Sequence, residues 1–441
     1  MDVSIETLKG LERKLTVMLP AEKIEEKVSL RLRSLARKVK IDGFRPGKAP
    51  IAIVKSRYSD GVREEVAHEL VRSTLSDALK SKELQPAGTP YIEPGPLEAG
   101  KDFTYTAFFE VFPEITVAEL DGNKIEVVEA AVNESDIDET LEKLREQNKT
   151  WHAVDRAVAN GDKVNIDFMG YLGDEPFDGG TAKGHEFIVG SGSMVADFEK
   201  GLLGAKKEQP FEIEVIFPSD YSEKKLASQK TKFKITVNEI LAGELPALDD
   251  AFVEKFNIKE GGIDAFRKDI KENMIRELDR RVQTMNRETI FDQLIAVNPM
   301  DLPNALIDME IENLKHELYH NLFGHKHAND EKIPDFPRHM FEEKAGRRVH
   351  LGLLFSKYVE QHDIVAEAAR VDALIEKLAS AYDDPDELRQ WYRNKERRAD
   401  VEALVLEEMV AEKVSEHAKV IKKQRSYAEI MYPKQNDKQG E

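Results

Sequence analysis

Four runs in the middle of the chain decide its fold: Val164 to Phe168 (VNIDF), Phe187 to Val189 (FIV), Phe211 to Phe217 (FEIEVIF) and Phe233 to Ile240 (FKITVNEI). Aromatic and β-branched residues dominate them, the longer ones alternate apolar with polar, and glycine or proline stands between. Such short runs predict several antiparallel strands sharing one buried face.

Working outward, the texture changes on both sides. Toward the N-terminus, Leu11 to Leu19 reads as a strand that Pro20 stops, and Ile24, Val28, Leu32, Leu35 and Val39 then recur at helical spacing. A second helix is expected over Arg63 to Leu84. After the break at Pro86 to Pro90, Lys101 to Phe112 alternates as a strand, so residues 1–112 predict an α+β domain. Residues 113–150 are acidic and read as a connector with one helix, carrying Ile137, Leu141 and Leu144 on one face. Beyond Leu245 the pattern is helical almost throughout. Phe266, Ile270, Met274, Leu278, Val282 and Met285 mark a long amphipathic helix, and Pro299, Pro303, Pro334 and Pro337 separate those that follow. The polar tail after Pro433 is expected to fray.

A chain of 441 residues exceeds what one core usually serves. Hydrophobic residues make up 41% and charged residues 34%, which describes a folding chain with a well-solvated surface. A net charge of −19 opposes general nucleic-acid binding, so any anionic partner must meet a local basic patch. The absence of cysteine excludes disulfides, thiolate catalysis and cysteine-ligated zinc, and suits a reducing cytosol. The opening residues lack a basic and apolar leader pattern, and no uncharged apolar run approaches the roughly 18 residues of a membrane span. The expectation is a soluble cytoplasmic protein with no membrane partner.

The basic patch exists. Arg31, Arg33, Arg37, Lys38 and Lys40 lead into Gly43-Phe44-Arg45-Pro46-Gly47-Lys48-Ala49-Pro50. Glycines and prolines define a projecting turn, Phe44 offers an apolar tip, and Arg45 and Lys48 supply cations for carboxylate or phosphate. A charge run alone is usually a solvated helix face. The full octapeptide resembles the ribosome-binding loop of bacterial trigger factors. That resemblance implies that Gly43, Phe44, Arg45, Gly47, Lys48 and Pro50 contact a ribosomal protein and rRNA beside the exit tunnel.

In the middle domain, Asp167-Phe168-Met169-Gly170, Phe177-Asp178-Gly179-Gly180, Phe187-Ile188-Val189-Gly190, Phe198-Glu199-Lys200-Gly201 and Phe217-Pro218-Ser219-Asp220-Tyr221 follow in order. Each aromatic taken singly is a core residue of a β domain. The ordered set resembles FKBP-type peptidyl-prolyl isomerases, with a short helix beside the sheet. The resemblance implies a pocket of Phe168, Phe177, Asp178, Val195, Phe198, Tyr221 and Phe233, with Tyr221 donating and Asp178 orienting its neighbours. The chain departs from the family pattern at Ala196-Asp197, where proline and glycine are common, and at His185, where an aromatic is common. Twisting an imide needs a dry aromatic pocket rather than an acid–base pair or a cofactor.

Asp301-Leu302-Pro303, Leu306-Ile307, Glu310 and Arg347 to Ile364 resemble the helical substrate-cradling arms of the same family. Met285, Met300, Met309, Leu318, Leu322, Phe323 and Met340 are candidate apolar contacts there, although helical spacing alone makes most of them core. His316, His320, His325 and His327 could present an i, i+4 pair to a metal, but without HExxH they read as solvent-exposed and no metal site is assigned. No phosphate-binding fingerprint is present.

The reading is therefore a multidomain α+β chain: ribosome-binding domain 1–112, connector 113–150, FKBP-type isomerase 151–245, all-α cradle 246–433 and tail 434–441. The resemblance implies an ATP-independent chaperone, without cofactors, that docks at the ribosomal exit tunnel and shields nascent and unfolded polypeptides, supporting folding and export. Homodimerisation away from the ribosome stays open. The alternatives are a soluble FKBP-type isomerase or an inactive FKBP-fold scaffold, neither tied to the ribosome.

Overall fold

The computed structural model describes residues 1–441 except 42–43, 45–49, 174, 220, 222, 259, 324–333, 335, 381–383 and 434–441. The chain divides into two compact units, Met1–Val127 with Met285–Lys423, and Val128–Thr284 with Gln424–Glu441.

The chain opens with a hairpin of β1 (Asp2–Thr7) and β2 (Glu12–Leu19), followed by helices α1 (Ala21–Ala36) and α2 (Ile51–Ser81) and strands β3 (Tyr91–Pro94) and β4 (Phe103–Glu110). The antiparallel sheet runs β1-β2-β4-β3. Leu15, Val17 and Leu19 alternate inward from β2, as do Phe103, Tyr105, Ala107 and Phe109 from β4. This face buries the apolar stripes of both helices, including Ile24, Val28 and Leu32. Strand β1 has no counterpart in the sequence reading because its residues are nearly all exposed. Helix α2 starts twelve residues before the expected Arg63. Exposed Ile51 and Ile53 spoil the apolar period of its first turns, so only the later turns are legible.

Next come β5 (Lys124–Glu129), α3 (Glu134–Gln147) and the strands β6 (Thr150–Ala153), β7 (Lys163–Leu172) and β8 (Glu175–Ile188). Helix α4 (Ala196–Leu202) and strands β9 (Phe211–Ile216) and β10 (Lys230–Glu244) complete the middle domain. The long β10 organises this second sheet. One edge pairs with β7, while the other pairs first with β9 and then with β6, all antiparallel. Helix α4 lies against the sheet, and Phe198, Leu202, Phe233, Ile235 and Val237 share its core.

Helices α5 (Asp250–Glu254), α6 (Gly262–Val297), α7 (Asn304–Phe323), α8 (Glu342–Gln361), α9 (Ala368–Ala379), α10 (Pro385–Trp391) and α11 (Lys395–Glu416) follow. Strand β11 (Lys419–Gln424) pairs with β5, and α12 (Tyr427–Met431) is the last element among the described residues. Strand β11 was not expected, since all six of its residues are exposed and show no alternation of burial. Pro303 stands just before α7, so the proline breaks fall where the helices part.

Four stretches distant in sequence share one core. Val117, Leu120 and Ile125 pack with Ile290, Phe291 and Leu294, with Leu354 and Tyr358, and with Val410 and Val414. Buried Asn298 pins the first stretch. Its Oδ1 accepts from Ala118 N at 2.7 Å, and its Nδ2 donates to the carbonyls of Ala118 at 3.1 Å and Leu294 at 2.9 Å. In the same unit, the Glu110 carboxylate accepts from Ala305 N and Asn304 Nδ2, both at 2.9 Å, capping α7 from β4.

Candidate active site

The second sheet places its aromatic residues by strand alternation. Phe168 on β7 stands opposite Ile235, and Phe233 on β10 stands opposite Gly170. Phe177 comes from β8, Phe198 from the first turn of α4, and Val195 is the residue that caps that helix. The rings meet edge to face. Phe198 lies 5.1 Å from Phe233 at 90° and 5.5 Å from Phe168 at 73°, and Phe177 lies 5.8 Å from Phe233 at 89°. These are the favoured geometries for aromatic pairs, whose electron-rich faces attract electron-poor edges.

Together they enclose a cavity of about 520 Å³ lined by Phe168, Phe177, Val195, Phe198, Tyr221 and Phe233. Six of the seven residues expected here from the sequence are thus brought together. The seventh, Asp178, lies on β8, but its side chain is outside the described residues. Tyr221 stands at the rim, 36% exposed, with its ring 4.6 Å from that of Phe217. Among the described residues its hydroxyl has no hydrogen-bond partner, which leaves it available to a guest carbonyl. Phe198 is only 1% exposed and closes the floor.

His185 forms part of the wall, edge-on to Phe168 with centroids 5.9 Å apart. Its approach is set by Asp167, whose carboxylate accepts from Gly184 N at 2.7 Å and Asn238 Nδ2 at 2.9 Å. The Gly184 amide foremost, and then Asn238, hold the Asp167 carboxyl below the ordinary aspartate range. Met194, Phe217 and Leu226 also line the pocket, beyond the residues expected from the family motifs. Phe217 was detectable, because it continues the inward alternation of β9 beyond Val215. Met194 was not, since it lies on a loop without period.

Near this cavity the described residues hold no group of three or more metal-ligating side chains. What it offers is a largely aromatic space with a few polar groups at its lining, His185, Ser193 and Glu223, and the Tyr221 hydroxyl, unpaired among the described residues. That suits a neutral proline ring and an imide whose carbonyl loses resonance as it twists.

An aromatic cleft between an antiparallel sheet and a short helix defines the FKBP-type peptidyl-prolyl isomerases, and the FKBP-type peptidyl-prolyl cis-trans isomerase family matches residues 154–241. On either side, the family described as bacterial trigger factor protein matches residues 1–144 and its C-terminus family residues 262–416. Trigger factors of Stutzerimonas stutzeri (strain A1501) and Pseudomonas syringae pv. syringae (strain B728a) are each 41% identical over 434 residues, covering 98% of this chain and 98% of the relative. A solved structure of a trigger factor chaperone, 18% identical, covers 94% of this chain and 99% of its own with a TM-score of 0.47. The chain belongs to the trigger factor family, ribosome-associated chaperones carrying an FKBP-type peptidyl-prolyl isomerase domain.

The other expected residues belong to the first unit or lie outside the described residues. Phe44 is 38% exposed and Pro50 precedes the first turn of α2. Gly43, Arg45, Gly47 and Lys48 lie outside the described residues. In the helical region Met309, Leu322 and Met340 are exposed, whereas Met300 and Leu318 pack against cores. Met285 is half-buried, and the Phe323 side chain is outside the described residues. His316 and His320 share a face of α7, while His325 and His327 are outside the described residues.

A glycine prediction arises from the cavity itself. A Cβ on Gly170 would lie 2.7 Å from both Phe177 Cε1 and Phe233 Cε1, so two wall rings would have to move. Gly170→Ala is expected to cost about 1–3 kcal/mol by overpacking. It should also lower kcat/KM on a prolyl tetrapeptide by about tenfold, because the rings that shape the site are displaced. Unchanged kinetics would mean that the ring positions are not needed.

Proposed function

We propose that this chain docks beside the ribosomal exit tunnel through the segment 43–50, contacting a ribosomal protein and rRNA, and there shields emerging polypeptides. The observation that carries this reading is the charge left free on α1 and just after it. Arg31 is paired with Glu65, and Lys27 with Glu69 at 3.1 Å, both on α2. Arg33, Arg37, Lys38 and Lys40 are exposed or at the edge, and among the described residues they make no ion pair. The unpaired cations therefore gather at and just after the C-terminal end of α1, next in sequence to the segment containing Phe44. On a chain of net charge −19 this is a local anion-seeking end.

In this reading Phe44 is the apolar anchor, Arg45 and Lys48 meet phosphate or carboxylate, and Gly43, Gly47 and Pro50 shape the turn. The cavity is the isomerase site. Phe168, Phe177, Val195, Phe198 and Phe233 keep the imide dry, Tyr221 donates to its neighbouring carbonyl, and Asp178 orients the rim. Exposed Met309 beside the groove between α7 and α8, lined also by Leu306, Val349 and Leu353, receives apolar client segments. The division into residues 1–112, 113–150, 151–245 and 246–433, a cytoplasmic location and homodimerisation off the ribosome complete the proposal. No described helix is long and apolar enough to cross a membrane.

Ribosome cosedimentation across a salt series tests it. Wild-type binding is expected to fall steeply with salt, and the Phe44→Ala, Arg45→Ala, Lys48→Ala triple variant should lose binding even at low salt. Cosedimentation that survives the triple substitution would place the docking surface elsewhere.

A further inference from the structure

One buried carboxylate beside the cavity has no part in the pocket chemistry described above. Glu199, in the first turns of α4, is 6% exposed. Its partners are all backbone amides of the preceding loop. One oxygen accepts from Gly190 N at 2.8 Å and Gly192 N at 3.3 Å, and the other accepts from Met194 N at 2.9 Å. Among the described residues no lysine or arginine pairs with it.

The loop is bent to fit this anion. Gly190 and Gly192 have φ of +91° and +76°, conformations that let successive amides converge on one point. A side chain at Gly190 would also displace Asn160, whose Oδ1 lies 1.9 Å from where its Cβ would fall. Two residues of the same loop, Met194 and Val195, form one wall of the cavity. Phe198, one position before the carboxylate, forms the floor. The anion therefore ties wall to floor, and it sits near the N-terminal end of α4, where the helix dipole favours negative charge.

We propose that Glu199 is a positioning residue of the isomerase: its carboxylate gathers the amides of Gly190, Gly192 and Met194 and so fixes the wall carrying Met194 and Val195 at its distance from Phe198. This rests on the reading of the cavity as the isomerase site. Glutamine in its place has one accepting oxygen, so at least one of the gathered amides loses its partner and meets an N–H instead. The wall then moves, and a substrate held by misplaced walls reaches its twisted state less often.

The test uses the full chain, with tetrapeptide isomerisation kinetics and hydrogen–deuterium exchange of the same samples. Glu199→Gln is expected to lower kcat/KM by about tenfold or more. Exchange should quicken in peptides spanning 190–195, while β7 and β10 stay protected. Thr231→Val, which removes a buried hydroxyl bonded to the Val215 carbonyl at 3.1 Å and outside the cavity lining, sets the scale of a purely structural loss and should keep wild-type kinetics. If Glu199→Gln does not fold, Glu199→Asp, with the charge kept but its reach shortened by one methylene, takes its place with the same expected direction.

Wild-type kinetics in the glutamate variant would overturn the proposal. So would lost activity with an unchanged loop, or with exchange quickened equally in β7 and β10. Phe177→Leu in parallel separates the two levels of the argument. If it is fully active, the cavity is not the isomerase site; if it is impaired while the glutamate variant is not, only the positioning role fails.

Discussion

Phe198→Ala is expected to abolish measurable isomerase activity and to destabilise the isomerase unit by about 3–5 kcal/mol. The phenylalanine is almost fully buried, and its ring contacts Phe168, Phe187 and Phe233. Truncation removes apolar area and opens a void. It also deletes edge-to-face pairs, each worth about 0.5–1.5 kcal/mol beyond their area. The neighbouring rings hang on a continuous sheet and collapse only in part, so the cost stays near the top of the range for such changes. The chain has two tryptophans, Trp151 on β6 in this unit and Trp391 in the other. In a Trp391→Phe background, urea unfolding followed by Trp151 fluorescence therefore reports this unit. A midpoint matching wild type would show that Phe198 is not its keystone.

Asn298→Ala is expected to cost the helical core about 1–3 kcal/mol, since each hydrogen bond lost forfeits about 0.5–1.5 kcal/mol and exposed Ala118 can turn its freed groups to water. The substitution removes the partner of both the N–H and the carbonyl of Ala118, and the nearby residues Val117 and Leu120 are part of that core. Their amide exchange should rise well before that of Leu15 to Leu19 in the N-terminal sheet. If peptides spanning 114–127 exchange at the wild-type rate, the side chain is not what anchors this stretch.

Asn298 also shows what the sequence concealed. An asparagine just after a long helix reads as a C-terminal cap, and nothing local reveals that its amide serves a residue 180 positions earlier. The aromatic pocket was legible only because the family motifs occur in their usual order; β alternation marked the strands that carry Phe168 and Phe233 but read each ring as core. The glycines beside Phe177, Gly170 and Gly180, appear in the sequence only as members of motifs. Their second function, leaving room for a ring, depends on a register between β7 and β10 that no single strand encodes. Glu199 was quoted as part of a motif, but its three amide partners lie on a loop with neither period nor charge. Strand β11 escaped for a similar reason, as an exposed strand lacks the alternation that burial imposes.

The core shared by Val117 and Val414 has a bearing on the chain's own birth. The N-terminal sheet and its two helices draw on residues 15–109, and the isomerase core on residues 158–240, so each can close soon after it is synthesised. The third core cannot. Its first strip is made about 300 positions before its last, and at 5–20 residues per second that is a wait of roughly 15–60 s. During that interval Val117, Leu120 and Ile125 lack their final packing partners. For as long as translation takes to reach Val414, this chaperone presents the same kind of unburied apolar segment that its family shields in others.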